Sequence, residues 1–173
     1  LPSVLHHGAE GIGLYRTEFL YLNRPELPSE EEHFQTYRKV VEKISPNPTT
    51  IRTFDLGGDK FISRINVAQE MNPALGLRAI RLGLREVDLF KTQIRAILRA
   101  SALGRVRILF PMVSGMQEVY QIKGIIADVK EELKAKKQPF DSGIEVGVMI
   151  EIPSAVVIAD LLAKEVDFFS IGT

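Results

Sequence analysis

Extended and helical patterns alternate about six times along this 173-residue chain, and that alternation restricts the fold more than any other feature. A strand, helix, strand repeat makes successive strands run parallel, because the helix makes the return crossing. The helical patterns are the clearer ones. Ser29 with Glu32 has the form of a capping box, so a helix is expected to start there. Phe34, Tyr37, Val41 and Ile44 then form one apolar stripe, and Pro46 and Pro48 end it. A second helix is expected from about Glu86 to Leu103, with Phe90, Ile94 and Ile97 inward and Gly104 as its C-cap. Val119, Ile122, Ile126, Val129 and Leu133 mark a third, with a solvated outer face rich in Lys and Glu. A fourth is expected to follow Pro153, which suits a first-turn position, and to run to about Ala163.

Six short runs between them have strand character: residues 11–15, 49–54, 75–80, 105–110, 144–150 and 166–171. RVRILF and IEVGVMI are apolar and β-branched, as buried parallel strands are. In the fifth run, Ile144, Val146, Val148 and Ile150 share one side, and Glu145, Gly147, Met149 and Glu151 the other. In a closed barrel the aliphatic side faces the helices. Gly147 and Met149 then fill the barrel, and Glu151 stands at its mouth. The segments 25–30 (PELPSE) and 136–143 (KKQPFDSG) read as surface loops.

Both a doubly wound sheet and a (β/α)₈ TIM-type barrel accommodate this pattern. The chain has neither G-x-G-x-x-G nor G-x-x-x-x-G-K-[ST]. Its candidate site residues follow the ends of several runs, which favours the barrel. A barrel needs eight strands and typically about 250 residues, so residues 1–173 are expected to be one partial barrel domain carrying about the first six strands. LPSVLHHGAE has no initiator Met, and the chain is expected to begin partway through a longer protein.

Four of the apolar runs stop on a charge. GIGLYR ends at Arg16, TTIR at Arg52, LGLR at Arg78 and VGVMIE at Glu151. In parallel α/β folds the carboxyl ends of the strands form the ligand site. Arginines hold phosphate and carboxylate through paired hydrogen bonds, so three of them suit an anion bearing both groups. A glutamate on the same rim suits Mg²⁺, which takes oxygen ligands and completes its shell with water and substrate phosphate. One carboxylate is not a metal site, so a second oxygen ligand must come from elsewhere.

Each residue has a plainer reading. Arg16 is flanked by Leu14, Tyr15, Phe19, Leu20 and Tyr21, with Glu18 as a possible structural partner. Near Arg52, the Gly57-Gly58 pair allows close backbone approach to a ligand or simply makes a turn, with Asp55 and Asp59 as turn formers. Lys60 is expected to be solvated. Arg81 and Arg85 share a helical face and are expected in solvent, unlike Arg78. His6, His7 and His33 have no metal-ligand spacing, and His33, in a polar helix start, is expected to be solvated or capping.

Composition removes several function classes. Lys+Arg and Asp+Glu both number 22, so nothing in the charge calls for nucleic acid or an anionic membrane. There is no cysteine, hence no disulfide, thiolate zinc site or catalytic thiol in the chain. That absence points toward a cytoplasmic location. No apolar run approaches the roughly 18 residues of a membrane span, and no signal-peptide pattern opens the sequence.

The set GAEGIGLYRTEFLY, IRTFDLGGDK, NPALGLRAIR, RILFPMV, GVMIEIPSA and VDFFSIGT, taken in order, resembles the phosphoenolpyruvate-utilising enzymes across essentially the whole chain. Within them, FDLGGDK is similar to the Enzyme I family of the bacterial sugar phosphotransferase system. Pyruvate phosphate dikinase and phosphoenolpyruvate synthase share the RTE and EIP segments and stay open as alternatives, as does a dimerisation or binding fragment without catalysis.

The resemblance implies part of the C-terminal phosphoenolpyruvate-binding barrel. Arg16, Arg52 and Arg78 match arginines of the substrate rim, and Glu151 matches one of two Mg²⁺ carboxylates. It implies transfer of the phosphoryl group of phosphoenolpyruvate to a histidine on a separate domain, leaving pyruvate, and onward to the carrier HPr for sugar uptake. It also implies a homodimer. The family continues beyond SIGT with an Asn-Asp pair whose Asp is the second Mg²⁺ ligand, and then with another substrate arginine and a cysteine that protonates the enolate. No catalytic group is therefore expected within this chain, which by itself is expected to be inactive and to bind phosphoenolpyruvate poorly.

Overall fold

The computed structural model describes residues 6–22, 24–57 and 76–172. Five strands form one parallel sheet: β1 (Ile12–Tyr15), β2 (Thr49–Arg52), β3 (Val106–Phe110), β4 (Glu145–Ile150) and β5 (Phe168–Ile171). Their order in the sheet is their order in the chain, and each neighbouring pair is parallel. Among the described residues there is no switch point at which the order reverses, so these strands wind in one direction only. That separates this half-barrel of five strands from a doubly wound sheet.

Helices make the crossovers. They are α1 (Glu30–Ile44), α2 (Ala79–Arg85), α3 (Val87–Ser101), α4 (Met116–Ala135), α5 (Pro153–Val157) and α6 (Ala159–Leu162). The expected capping box opens α1: Ser29 Oγ accepts from Glu32 N at 3.2 Å, and Ser29 N donates to Glu32 Oε2 at 2.7 Å. These bonds, with the Arg24 guanidinium, hold the Glu32 carboxyl down to about 2. Tyr37, Val41 and Ile44 of α1, Phe90, Ile94 and Ile97 of α3, and Val119, Ile122, Ile126, Val129 and Leu133 of α4 are buried. They share one core with Ile51, Val106, Ile108, Phe110 and Val148 from the helix-facing side of the strands.

The concave face carries the alternate residues. Arg107 is ion-paired with Glu145 one strand over, and Met149 meets Arg52. Gly147 lies opposite Phe168, and a Cβ there would come within 2.5 Å of the Phe168 ring. The glycine thus leaves room for that ring. This agrees with the parity read from VGVMIE. On the outer face of β5, Phe169 and Ile171 are bare, the latter 82% exposed. Among the described residues, no helix is long and apolar enough to cross a membrane.

Three expectations change. The run 75–80 is not a strand in its described part, so five strands stand where six were expected. Arg78 makes only an isolated antiparallel bridge to Gly57, and Ala79 already begins α2. Ala79, Ile80, Leu82 and Gly83 are all buried, a helical spacing that outweighs the short apolar run. The helix after Pro153 is broken at Ile158 into two short pieces. α3 ends earlier than expected, with Ala102 and not Gly104 at its C-cap. Gly58, Asp59 and Lys60 lie outside the described residues.

Candidate functional site

Parallel strands bring their carboxyl ends to one side of the sheet. Arg16 follows β1, Arg52 closes β2, and Glu151 follows β4. Arg78 reaches the same side by another route: it is the N-cap residue of α2 and is tied down by Asp55, three residues past β2.

Arg52 is the centre of the arrangement. It is only 8% exposed, and an arginine so buried needs compensating charge. Its Nη2 lies 2.8 Å from Glu18 Oε1, and its Nη1 lies 3.5 Å from Asp55 Oδ2 and 3.7 Å from the Met149 sulfur. Glu18 Oε1 also accepts from Asp55 N at 3.1 Å. Asp55 Oδ1 in turn accepts from Arg78 Nη2 at 2.6 Å and Nε at 3.1 Å. Four charges, Glu18, Arg52, Asp55 and Arg78, therefore form one interlocked cluster. The buried Arg52 Nε has no hydrogen-bond partner among the described residues.

Arg16 is different. It is exposed and makes no ion pair or hydrogen bond among the described residues. Glu18, the partner that sequence proximity suggested for it, is committed to Arg52 instead. Glu18 opens the short 3₁₀ turn Glu18–Leu20, off the strand, and its carboxylate meets the Arg52 guanidinium at the end of β2. Asp55 is likewise more than a turn former. Arg85 is exposed as expected, while Arg81 is half-buried with its Nη1 on Gly76 O at 3.1 Å.

Glu151 stands two residues beyond Met149, the residue that touches Arg52. Its Oε1 accepts from Met112 N at 2.7 Å. Met112, with φ of 60°, is held in the left-handed region beyond β3 and so turns its N–H toward β4. Gly172 packs against Glu151 so closely that a Cβ there would lie 2.5 Å from the Glu151 Cβ. Beside them is a cavity of about 490 Å³ lined by Ile150, Glu151, Pro153, Val156, Ile171 and Gly172. Among the described residues, no group of three or more His, Asp and Glu could hold a metal ion. Glu151 nonetheless fits a Mg²⁺ site of the kind that takes one or two protein carboxylates and fills the rest with water and phosphate: its Oε2 has no hydrogen-bond partner among the described residues.

His33 overturns its expected place in solvent. It is fully buried, with Tyr37 Oη 2.9 Å from Nδ1 and Tyr21 Oη 3.2 Å from Nε2. Burial pulls its pKa down to about 4, and the same burial raises the Tyr21 and Tyr37 hydroxyls above their ordinary range. Thr17 and Gln93, also fully buried, complete this polar network. Sequence reading passed over both. A lone glutamine on the apolar stripe of α3 was the available signal.

A one-way parallel α/β sheet with arginines and a glutamate at its carboxyl edge is a partial barrel with a charged rim. The model of the PEP-utilising enzyme family, PEP-binding domain, matches residues 2–173, and the chain belongs to that family. Among curated relatives, the phosphoenolpyruvate-protein phosphotransferase of Priestia megaterium is 54% identical over 173 residues. Those of Staphylococcus aureus and Geobacillus stearothermophilus are 51% and 54% identical. Each comparison covers 100% of this chain and 30% of the relative, so the chain spans under a third of their length.

Proposed function

We propose that residues 1–173 are part of the phosphoenolpyruvate-binding barrel of a phosphoenolpyruvate–protein phosphotransferase, an Enzyme I. The reading extends the five strands to a closed (β/α)₈ barrel, which the unreversed strand order supports. The bare outer face of β5 supports a sheet that is covered in the whole protein. The observation that carries the function is the buried Arg52 guanidinium, held between Glu18 and Asp55 with its Nε unpartnered among the described residues, at the same sheet edge as the exposed Arg16.

Phosphoryl transfer depends mainly on positioning and charge neutralisation. Arg16 and Arg52 clamp the phosphate of phosphoenolpyruvate, and Arg78 assists. The ligand competes for guanidinium donors that Glu18 and Asp55 already orient, so little reorganisation is needed on binding. The bond between phosphorus and the enolate oxygen breaks as a bond to a histidine nitrogen forms, and the enolate takes up a proton to become pyruvate. The accepting histidine belongs to another domain and hands the phosphoryl group to HPr. Glu151 would hold Mg²⁺, which supplies positive charge at the phosphate and enolate oxygens.

In the intact enzyme, Arg52→Ala is expected to lower pyruvate release from phosphoenolpyruvate by at least about a hundredfold. Turnover close to wild type would sink the assignment. Turnover that requires ATP would reassign the protein to the dikinases or synthases.

A further inference from the structure

Beneath the arginine rim lies a polar side chain that the site described above does not use. Gln93 sits on α3, whose inner face is apolar apart from Gln93 itself and Ser101 in the last turn, and is fully buried. An unsatisfied amide there would be costly, yet Gln93 is fully occupied. Its Oε1 accepts from Phe54 N at 3.0 Å. Its Nε2 donates both hydrogens, to Thr17 Oγ1 at 3.0 Å and to Tyr37 Oη at 3.0 Å. Thr17 Oγ1 then donates to Arg52 O at 3.0 Å.

Donor and acceptor rules fix the directions of the bonds around Gln93. An N–H can only donate, so the partner of Phe54 N must be the amide oxygen, which leaves the amide nitrogen for the two hydroxyls. Thr17 accepts from Gln93 and gives its own hydrogen to Arg52 O. Tyr37 accepts from Gln93 and keeps its own hydrogen for His33 Nδ1 at 2.9 Å, an arrangement that favours the imidazole tautomer with its hydrogen on Nε2, facing Tyr21 at 3.2 Å. The chain of bonds thus runs from α1 through α3 to the backbone at the end of β2. It grips that backbone at two points, Arg52 O and Phe54 N. Between and beside those points, the Arg52 side chain and Asp55 leave for the site.

We infer that Gln93 is a positioning residue for phosphoenolpyruvate binding, acting through the backbone of residues 52–54 to set the direction of the Arg52 guanidinium. Gln93 does not touch the substrate. The inference rests on the reading that Arg52 holds the phosphate. A displacement of even about 1 Å at a reacting or clamping group costs up to about a hundredfold in such systems, so losing the Phe54 N grip, and the donor that orients Thr17 toward Arg52 O, is expected to be visible in affinity.

The test is a double-mutant cycle in the intact enzyme, with phosphoenolpyruvate binding measured calorimetrically for wild type, Gln93→Leu, Arg52→Ala and the double variant. Gln93→Leu is expected to weaken binding about tenfold in the wild-type background, and less than about twofold when Arg52 is already alanine. A residue that only supports the fold would lower affinity by the same factor in both backgrounds, and that result would overturn the inference. So would wild-type affinity in Gln93→Leu. Undiminished binding by Arg52→Ala would instead defeat the functional reading on which the inference stands. Should Gln93→Leu not fold, Gln93→Glu replaces it, since its carboxylate still accepts from Phe54 N but cannot donate to Thr17. The same coupling to Arg52 is then expected, and additive effects in that series likewise overturn the inference.

Discussion

Glu18 Oε1 lies 2.8 Å from Arg52 Nη2 although 34 residues separate the two in sequence. The carboxylate comes from the turn after β1 and the guanidinium from the end of β2, so the pair joins two neighbouring strand ends at the rim. Both side chains are largely buried, at 10% exposure for Arg52 and 17% for Glu18. Removing one partner of a buried pair costs roughly 3–5 kcal/mol, because the other charge is stranded. Asp55 retains part of the compensation here. Glu18→Gln is therefore expected to lower unfolding stability by about 2 kcal/mol and to weaken phosphoenolpyruvate binding. Urea unfolding and ligand titration check the two effects; an unchanged unfolding midpoint would show that the pair contributes nothing.

Acid should act first through His33. Its folded pKa of about 4 lies below the ordinary value of 6.5. Between these values the unfolded chain binds a proton that the folded chain refuses. The contribution is complete above pH 6.5 and is lost as pH falls toward 4, with a magnitude on the order of 3 kcal/mol. Glu32, lowered from 4.5 to about 2, adds its own loss only below pH 4.5. Stability measured against pH should thus decline between about 6.5 and 4.5 in wild type, and His33→Gln should flatten that limb. A slope that survives the substitution would assign it to another group.

Gly172 and Glu151 offer a separable probe of the glutamate. A Cβ at position 172 would press on Glu151 Cβ at 2.5 Å and Oε2 at 3.0 Å. In Gly172→Ala the carboxylate must move, while the cluster around Arg52 is untouched. The Mg²⁺ concentration for half-maximal activity of the intact enzyme is expected to rise about fivefold to tenfold, consistent with loss of pre-orientation at one ligand. An unchanged Mg²⁺ dependence would argue against Glu151 as a metal carboxylate.

Arg99 ties α3 to α1 on the outside. Its guanidinium lies 4.0 Å over the Phe34 ring and bonds Glu30 at 2.7 Å and Glu31 at 2.9 Å. Stacking and stem packing make such an arginine worth more than a plain surface pair. Arg99→Ala is expected to cost about 1–2 kcal/mol in thermal or urea unfolding, and Arg99→Lys to recover only part of it. Full recovery by lysine would mean that charge alone matters.

What was readable in the sequence was what neighbours along the chain decide. The Ser29–Glu32 box spans three residues and appears as expected. The parity of VGVMIE is a property of any strand, and it placed Met149 on the concave face with Arg52. Less readable were positions whose state is set by partners from afar. His33 looked solvated because its chain neighbours are glutamates, yet Tyr21, Tyr37 and the core enclose it. Asp55 looked like a turn former until Arg78 arrived from 23 residues away. Arg78 itself was assigned to a strand end because LGL is apolar, whereas the helical burial of Ala79, Ile80 and Leu82 governs there.

The unreversed strand order has a consequence for assembly. Among the described residues, each new strand adds to the edge left by the strand before it. Each pairing is nonetheless long in sequence, because a helix intervenes between parallel neighbours such as Thr49 and Val106, and pairings of that kind form slowly. The rim is laid down in the direction of translation: both partners of the Glu18–Arg52 lock are already in the chain before the strand that leads to Glu151 is synthesised.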